Sequence, residues 1–149
     1  MAFSTLPRPL VVFGLAGLLP QAGCLALMLV WPDARWFTMA AACFYAAIIL
    51  SFLGGMWWMA GLMAGRKEPA AYLLAVVASL SGWAGLLPWA LGWSWPAPSL
   101  GVLGLLLLAS PLVDGFLARD IALPPAWLRL RVAMASGLGL LTLAVAALA

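Results

Sequence analysis

Histidine is absent from this 149-residue sequence, and with it the commonest metal ligand and the side chain best suited to proton transfer near neutral pH. Acids are scarce as well. The four Asp and Glu residues are scattered along the chain, which leaves neither a ligand cluster for a metal nor a pair of catalytic carboxylates. The two cysteines, Cys24 and Cys43, form no CxxC or other ligand spacing. Charge of either sign is low, at 7% of residues, too little to cover a water-soluble domain. The net charge of +3 is not gathered into the clustered cations of a nucleic-acid-binding face. The chain is therefore expected to have no catalytic residues, no metal, no cofactor and no nucleic-acid partner, and not to be an enzyme.

What the sequence does contain is apolar surface, at 67% of residues, arranged in five long runs. They cover about residues 10–30, 37–64, 70–91, 99–118 and 132–148. A run of about 20 apolar residues crosses about 30 Å of hydrocarbon as a helix, and in lipid a helix satisfies its own backbone. The expected fold is an all-α membrane protein, a bundle of five transmembrane helices forming a single integral-membrane domain over residues 1–149. The gaps are short and rich in breakers: Trp31-Pro32-Asp33, Gly65-Arg66-Lys67-Glu68-Pro69, Trp93-Ser94-Trp95-Pro96, and a longer link from Arg119 to Arg131 with Pro124-Pro125 inside it. The faint lipoprotein-like pattern ending at Cys24 has Gln21 where a Leu-like residue is wanted, and the apolar run continues to Val30. The segment therefore reads as a retained helix.

Cations in short loops set orientation. Arg8, Arg66, Lys67, Arg119, Arg129 and Arg131 fall on the side of the N-terminus and only Arg35 on the other. This places the N-terminus inside and the C-terminus outside a bacterial inner (cytoplasmic) membrane, or a mitochondrial inner membrane in a eukaryote. Trp31, Trp36, Trp89, Trp93 and Trp95 then gather at the outer interface, and Trp127 at the inner one.

Few residues within the spans are candidates for function. Asp114 is the one acid inside an apolar run. It reads either as a proton or cation site, or as a carboxylate paired with a cation at the inner end of the bundle, from Arg66, Lys67, Arg129 or Arg131 rather than from Arg119 on its own helix. Trp57, Trp58 and Trp83 lie deeper than interfacial tryptophans. With Asp114 they form a candidate intramembrane site for a flat apolar ligand such as a porphyrin, sterol or quinone, or else they fill the core. Pro20, Pro88 and Pro111 free the carbonyls of Ala16, Ala84 and Leu107, for a ligand or for neighbouring helices to satisfy. Ala47, Ser51 and Gly55 recur every four residues as a small-residue ridge for helix packing, and Ser81 with Gly85 and Ala133 with Gly137 repeat the spacing. Cys24 and Cys43 fall at similar depths on neighbouring helices, where either a bridge or two free thiols fit.

The stretch Phe44-Tyr45-Ala46-Ala47-Ile48-Ile49-Leu50-Ser51-Phe52-Leu53-Gly54-Gly55-Met56-Trp57-Trp58 resembles the signature of the transmembrane protein 69-like family of bacteria and mitochondria. Gly14 to Pro20, Trp83 with Leu86-Leu87-Pro88, and Asp120 followed by Pro125 to Arg131 match in the same order, so the resemblance covers nearly the whole chain. The family often carries a polar or basic residue where Trp57 stands, a Gly where Met59 stands, and a Leu-Thr after Arg131 that is missing here. The resemblance implies a small multi-helix inner-membrane protein and no particular chemistry.

Two functions follow from these residues. One is a non-enzymatic structural or accessory protein in the lipid bilayer, associating with another membrane protein or with itself. The alternative is a carrier or binding protein for a small apolar ligand or ion within the bundle. A closed core around Asp114 favours the first, and a cavity lined by Trp57, Trp58, Trp83 and Asp114 favours the second.

Overall fold

Proline marks where most of the helices begin. Its ring fixes φ near the helical value and its missing N–H is harmless in a first turn. In the computed structural model, which describes residues 6–121 and 123–149, a proline stands in the first two positions of six helices. These are α1 (Arg8–Ala16), α2 (Leu19–Val30), α4 (Pro69–Ala84), α5 (Leu87–Ala90), α6 (Ala97–Leu117) and α7 (Pro125–Ala147). The remaining helix, α3 (Arg35–Met63), follows a 3-10 turn over Pro32–Ala34. Residues 1–5 and 122 of the expected 1–149 domain lie outside the described residues. Glycine ends α3: at φ +64, Gly65 donates its N–H to Leu62 O (3.0 Å) and lets Arg66 N–H reach Gly61 O (3.1 Å). This pair of bonds satisfies the last carbonyls of the helix.

Together the helices make five spans long and apolar enough to cross a membrane, Arg8–Val30, Pro32–Met63, Pro69–Ala90, Ala97–Asp120 and Pro125–Ala147. No strand occurs among the described residues. The all-helical architecture agrees with the sequence reading and is compatible with a multi-pass membrane protein. The first span breaks at Gly17-Leu18 and the third at Gly85-Leu86, just ahead of Pro20 and Pro88. Pro111 stays inside α6, because the Ser110 hydroxyl donates to the Leu107 carbonyl that the proline leaves free (2.8 Å). The fifth helix starts at Pro125 and not near residue 132. Arg129 and Arg131, read as loop cations, are therefore helical.

The helices pack as neighbouring antiparallel pairs, α3 on α4 and α6 on α7, with α3 also against α6 and with α2 against α3 and α7. The second span is the most enclosed and the first the least. On α3 the ridge does not run through Ala47, Ser51 and Gly55 as expected. Ala47 is buried against Gly82, where a Cβ on the glycine would come within 2.7 Å of Ala47 O. Ser51 is exposed and its Oγ lies 3.4 Å from Ser79 Oγ, while a Cβ added at Gly55 would meet nothing within 4 Å. The next close contact is at Gly54, where a Cβ would collide with the Ala75 carbonyl, and the one after is at Gly61, beside the Ala71 Cβ. The physical reason is rotation: residues eight apart on an α-helix have turned by about 80°, whereas residues seven apart return to within about 20° of one face. Ala47, Gly54 and Gly61 keep the seven-residue spacing of left-handed helix packing.

The same period organises the other seam. On α6 the buried positions include Leu100, Leu103, Leu107, Ser110, Asp114 and Leu117, with Ser99 and Gly104 beside this line; on α7 they include Arg131, Ala135, Leu138, Thr142 and Val145. These alternate steps of three and four place Asp114 and Arg131 in the packing seam itself, facing each other across the helix pair.

Candidate functional site

Near one end of the bundle, three helices converge on the Asp114 carboxylate, which is fully buried. Arg131 on α7 donates Nε–H to Asp114 Oδ2 at 2.8 Å. Trp57 on α3 donates its indole N–H to Asp114 Oδ1, also at 2.8 Å. Each carboxylate oxygen thus has a donor from a different helix. Asp114 reaches inward because it lies in phase with Leu100, Leu103 and Leu107. Trp57 does so because it lies seven residues beyond Leu50, which is buried on α3. A buried ion costs several kcal/mol to desolvate and is tolerated only when paired and hydrogen-bonded, and here both conditions hold.

The remaining candidates separate from this cluster. Trp58 is exposed on the outer surface, edge-on to Tyr72 with ring centroids 5.0 Å apart. Trp83 is likewise exposed. The expected four-residue site therefore does not assemble. Trp57 and Asp114 meet, whereas Trp58 and Trp83 point away, because neither falls on the buried phase of its helix. Among the cations proposed as partners for Asp114, Lys67 and Arg129 are exposed, and Arg66 bonds other groups at the same C-terminal end of α6. Its guanidinium donates to Phe116 O at 2.9 Å, pairs with Asp120 and lies over the Phe116 ring, 4.2 Å from the centroid. Arg66 thereby ties the α3–α4 turn to the end of α6.

A second polar contact, outside the sequence reading, holds the first span. Gln21 is fully buried and donates Nε2–H to Thr142 Oγ1 at 2.8 Å and to Ala42 O at 3.5 Å. Thr142 in turn donates to Leu138 O at 2.8 Å. Tyr45 adds a bond from its hydroxyl to Gly17 O (2.5 Å), at the break between α1 and α2. At the same end as the C-terminal turn of α7, Arg35 donates to Leu148 O and, at 2.8 Å, to Ala149 O. Trp36, Phe44, Trp89 and Trp95 form an aromatic cluster with centroids about 6 Å apart. Cys24 and Cys43 are both free.

The ion pair joins α6 to α7. Its donors and acceptors face one another, and no group of three or more Cys, Asp or Glu residues among the described residues is placed to hold a metal. Comparison with curated proteins finds no match, and comparison with solved structures finds none either. Residues 6–147 match the family described as "protein of unknown function (DUF3429)". That match runs from the first helix to the last and takes in Trp57, Asp114 and Arg131, so the chain belongs to the DUF3429 family.

Proposed function

We propose that this chain is a multi-pass protein of the bacterial inner membrane that works without catalysis, as a structural or accessory subunit bound to another membrane protein or to a second copy of itself. Within its family it is of the transmembrane protein 69-like type, as the resemblance over Phe44 to Trp58 implies. The N-terminus faces the cytoplasm, on the count of loop cations. With Arg131 inside the bundle, that count becomes Arg8, Arg66, Lys67, Arg119 and Arg129 against Arg35. The observation that carries the reading is the enclosure of Asp114: its two oxygens are taken up by Trp57 and Arg131, so the one intramembrane carboxylate serves cohesion rather than transport or proton transfer.

The partner face in this reading is the outward side of α4, which packs on α3 and only sparsely on α6 and exposes Leu73, Val76, Leu80 and Trp83. Photo-cross-linking from position 80 in living cells, with position 112 on α6 as the comparison, tests it. A discrete cross-linked protein or dimer from position 80, weaker or absent from position 112, is the expected result. Lipid adducts alone from both positions would remove the accessory reading.

A further inference from the structure

Helices α4 and α6 both pack on α3 but touch each other only sparsely, and a groove runs between them. Its wide end holds about 320 Å³, the size of a small-molecule site. Ser81, Ala84 and Pro88 of the third span line one side, and Ser99, Val102 and Leu106 of α6 the other. Through Ser81 and Leu106 the groove continues into a narrower part of about 120 Å³ that reaches Trp57 and Val113. From Ser99 to Val113 it follows α6 for about 21 Å. Polar groups gather at the wide end. Ser99 is 5% exposed, yet among the described residues its hydroxyl has no hydrogen-bond partner, unlike those of Ser110 and Thr142, which bond carbonyls of their own helices. The Ser81 hydroxyl likewise has none among the described residues. An unmet hydroxyl in an apolar setting is costly. A helical carbonyl points along the axis toward the residue four further on; for Ala84 that residue is Pro88, which has no N–H to give.

We propose that this groove seats a neutral single-chain lipid headed by a hydroxyl, which accepts from Ser99 or Ser81 and donates to the Ala84 carbonyl while its chain runs toward Trp57. Each part of that class follows from the lining. Among the described residues no charged side chain lines either part of the groove, so an ionised head would lie there unpaired. An ester or ether oxygen only accepts and would leave the Ala84 carbonyl unmet, whereas a hydroxyl both accepts and donates. The narrow part has room for an alkyl chain and not for a fused-ring body. The site lies on the α6-facing side of α4 and stands whether or not the outward face of α4 has a partner.

The test is photo-affinity labelling of the full chain in phosphatidylcholine nanodiscs, followed by peptide mapping. The probe is hexadecanol carrying a mid-chain diazirine. Its methyl ether, which accepts but cannot donate, and the matching hexadecanoate are the controls. The alcohol should label residues 74–85 and 99–113 about threefold or more above the ether, the factor that one hydrogen bond within a membrane gives. Two variants keep the test decisive. Ser81→Ala/Ser99→Ala removes both donors to the probe and should lower labelling by the alcohol about threefold or more, with the helical circular dichroism unchanged. Ala84→Trp, at an exposed position, fills the wide end and should abolish labelling; should that variant fail to fold, the serine variant decides. If the ether or the hexadecanoate labels the groove as strongly as the alcohol, the groove takes any lipid chain and the proposal fails. It fails equally if no probe labels the groove, or if labelling by the alcohol is unchanged in the serine variant.

Discussion

Removing the Asp114 charge probes the packing seam most directly. In Asp114→Asn the side chain keeps its shape but retains a single acceptor oxygen. Trp57 Nε1 and Arg131 Nε both point at it, each now 2.8 Å from a carboxylate oxygen, so whichever way the amide turns, one donor meets an NH₂. Arg131 is also left as an uncompensated buried cation. At a separation of 2.8 Å and an effective dielectric of about 20, the pair attraction is about 6 kcal/mol before desolvation is counted. Breaking one side of such a buried pair is expected to cost about 3–5 kcal/mol. The double variant Asp114→Leu/Arg131→Met removes both charges and is expected within about 1 kcal/mol of the parent, since a well-packed apolar replacement of a buried pair is often neutral. The coupling between the two positions is then about 3 kcal/mol or more. Reversible unfolding in mixed micelles of rising SDS fraction, followed by helical circular dichroism, measures the parent, Asp114→Leu, Arg131→Met and the double variant as one cycle, with Asp114→Asn beside them. Additive losses at the two positions, or a cost below about 1 kcal/mol for Asp114→Asn, would refute the assignment of this pair as the principal polar fastener.

Other expectations are as direct. Trp57→Phe keeps an aromatic side chain but removes the indole donor and part of the buried volume, for a loss of about 1–2 kcal/mol or more in the same unfolding assay. Gly54→Leu should lower the detergent melting temperature sharply, by overpacking worth about 1–3 kcal/mol or more. Gly55→Leu, with open space around it, should leave that temperature unchanged; equal effects would overturn the seven-residue seam. A periplasm-dependent reporter fused at Ala149 should be active, and activity of a cytoplasm-dependent reporter there would invert the topology. Two thiols should react with maleimide in SDS without any reductant, as both cysteines are free; fewer than two would indicate a bridge.

The five spans were legible because length and apolarity alone decide whether a segment crosses about 30 Å of hydrocarbon. Helix ends at Gly65 and the breaks near Pro20 and Pro88 were legible through local chemistry. Facing direction is carried by helical phase rather than by residue type. Trp57 differs from Trp58 by sharing the phase of Leu50, and Asp114 shares that of Leu100, Leu103 and Leu107. Spacing by four, applied to Ala47, Ser51 and Gly55, follows a line that winds away from the neighbouring helix after two steps. Two arginines and a double proline ahead of Arg131 mark it as a loop cation, although its level in the membrane also makes it a candidate partner for Asp114. Pro125 in fact opens the helix and carries the guanidinium inside. Gln21 had no signal beyond being a lone amide in an apolar run, and its partner Thr142 lies in the last span.

The seating of Asp114 on α6 and Arg131 on α7 also bears on how the chain enters its membrane. Taken singly, a charged residue in a nascent span raises the cost of partitioning into lipid by about 2.5–3.5 kcal/mol at mid-bilayer and less toward its edge. The two charges lie in consecutive spans, so each is neutralised in lipid only once the other span lies beside it. Co-insertion of the last hairpin would therefore lower the cost for both spans, with the Trp57 indole on α3 as the second donor to the carboxylate. A stop placed between α6 and α7 would strand Asp114 facing lipid.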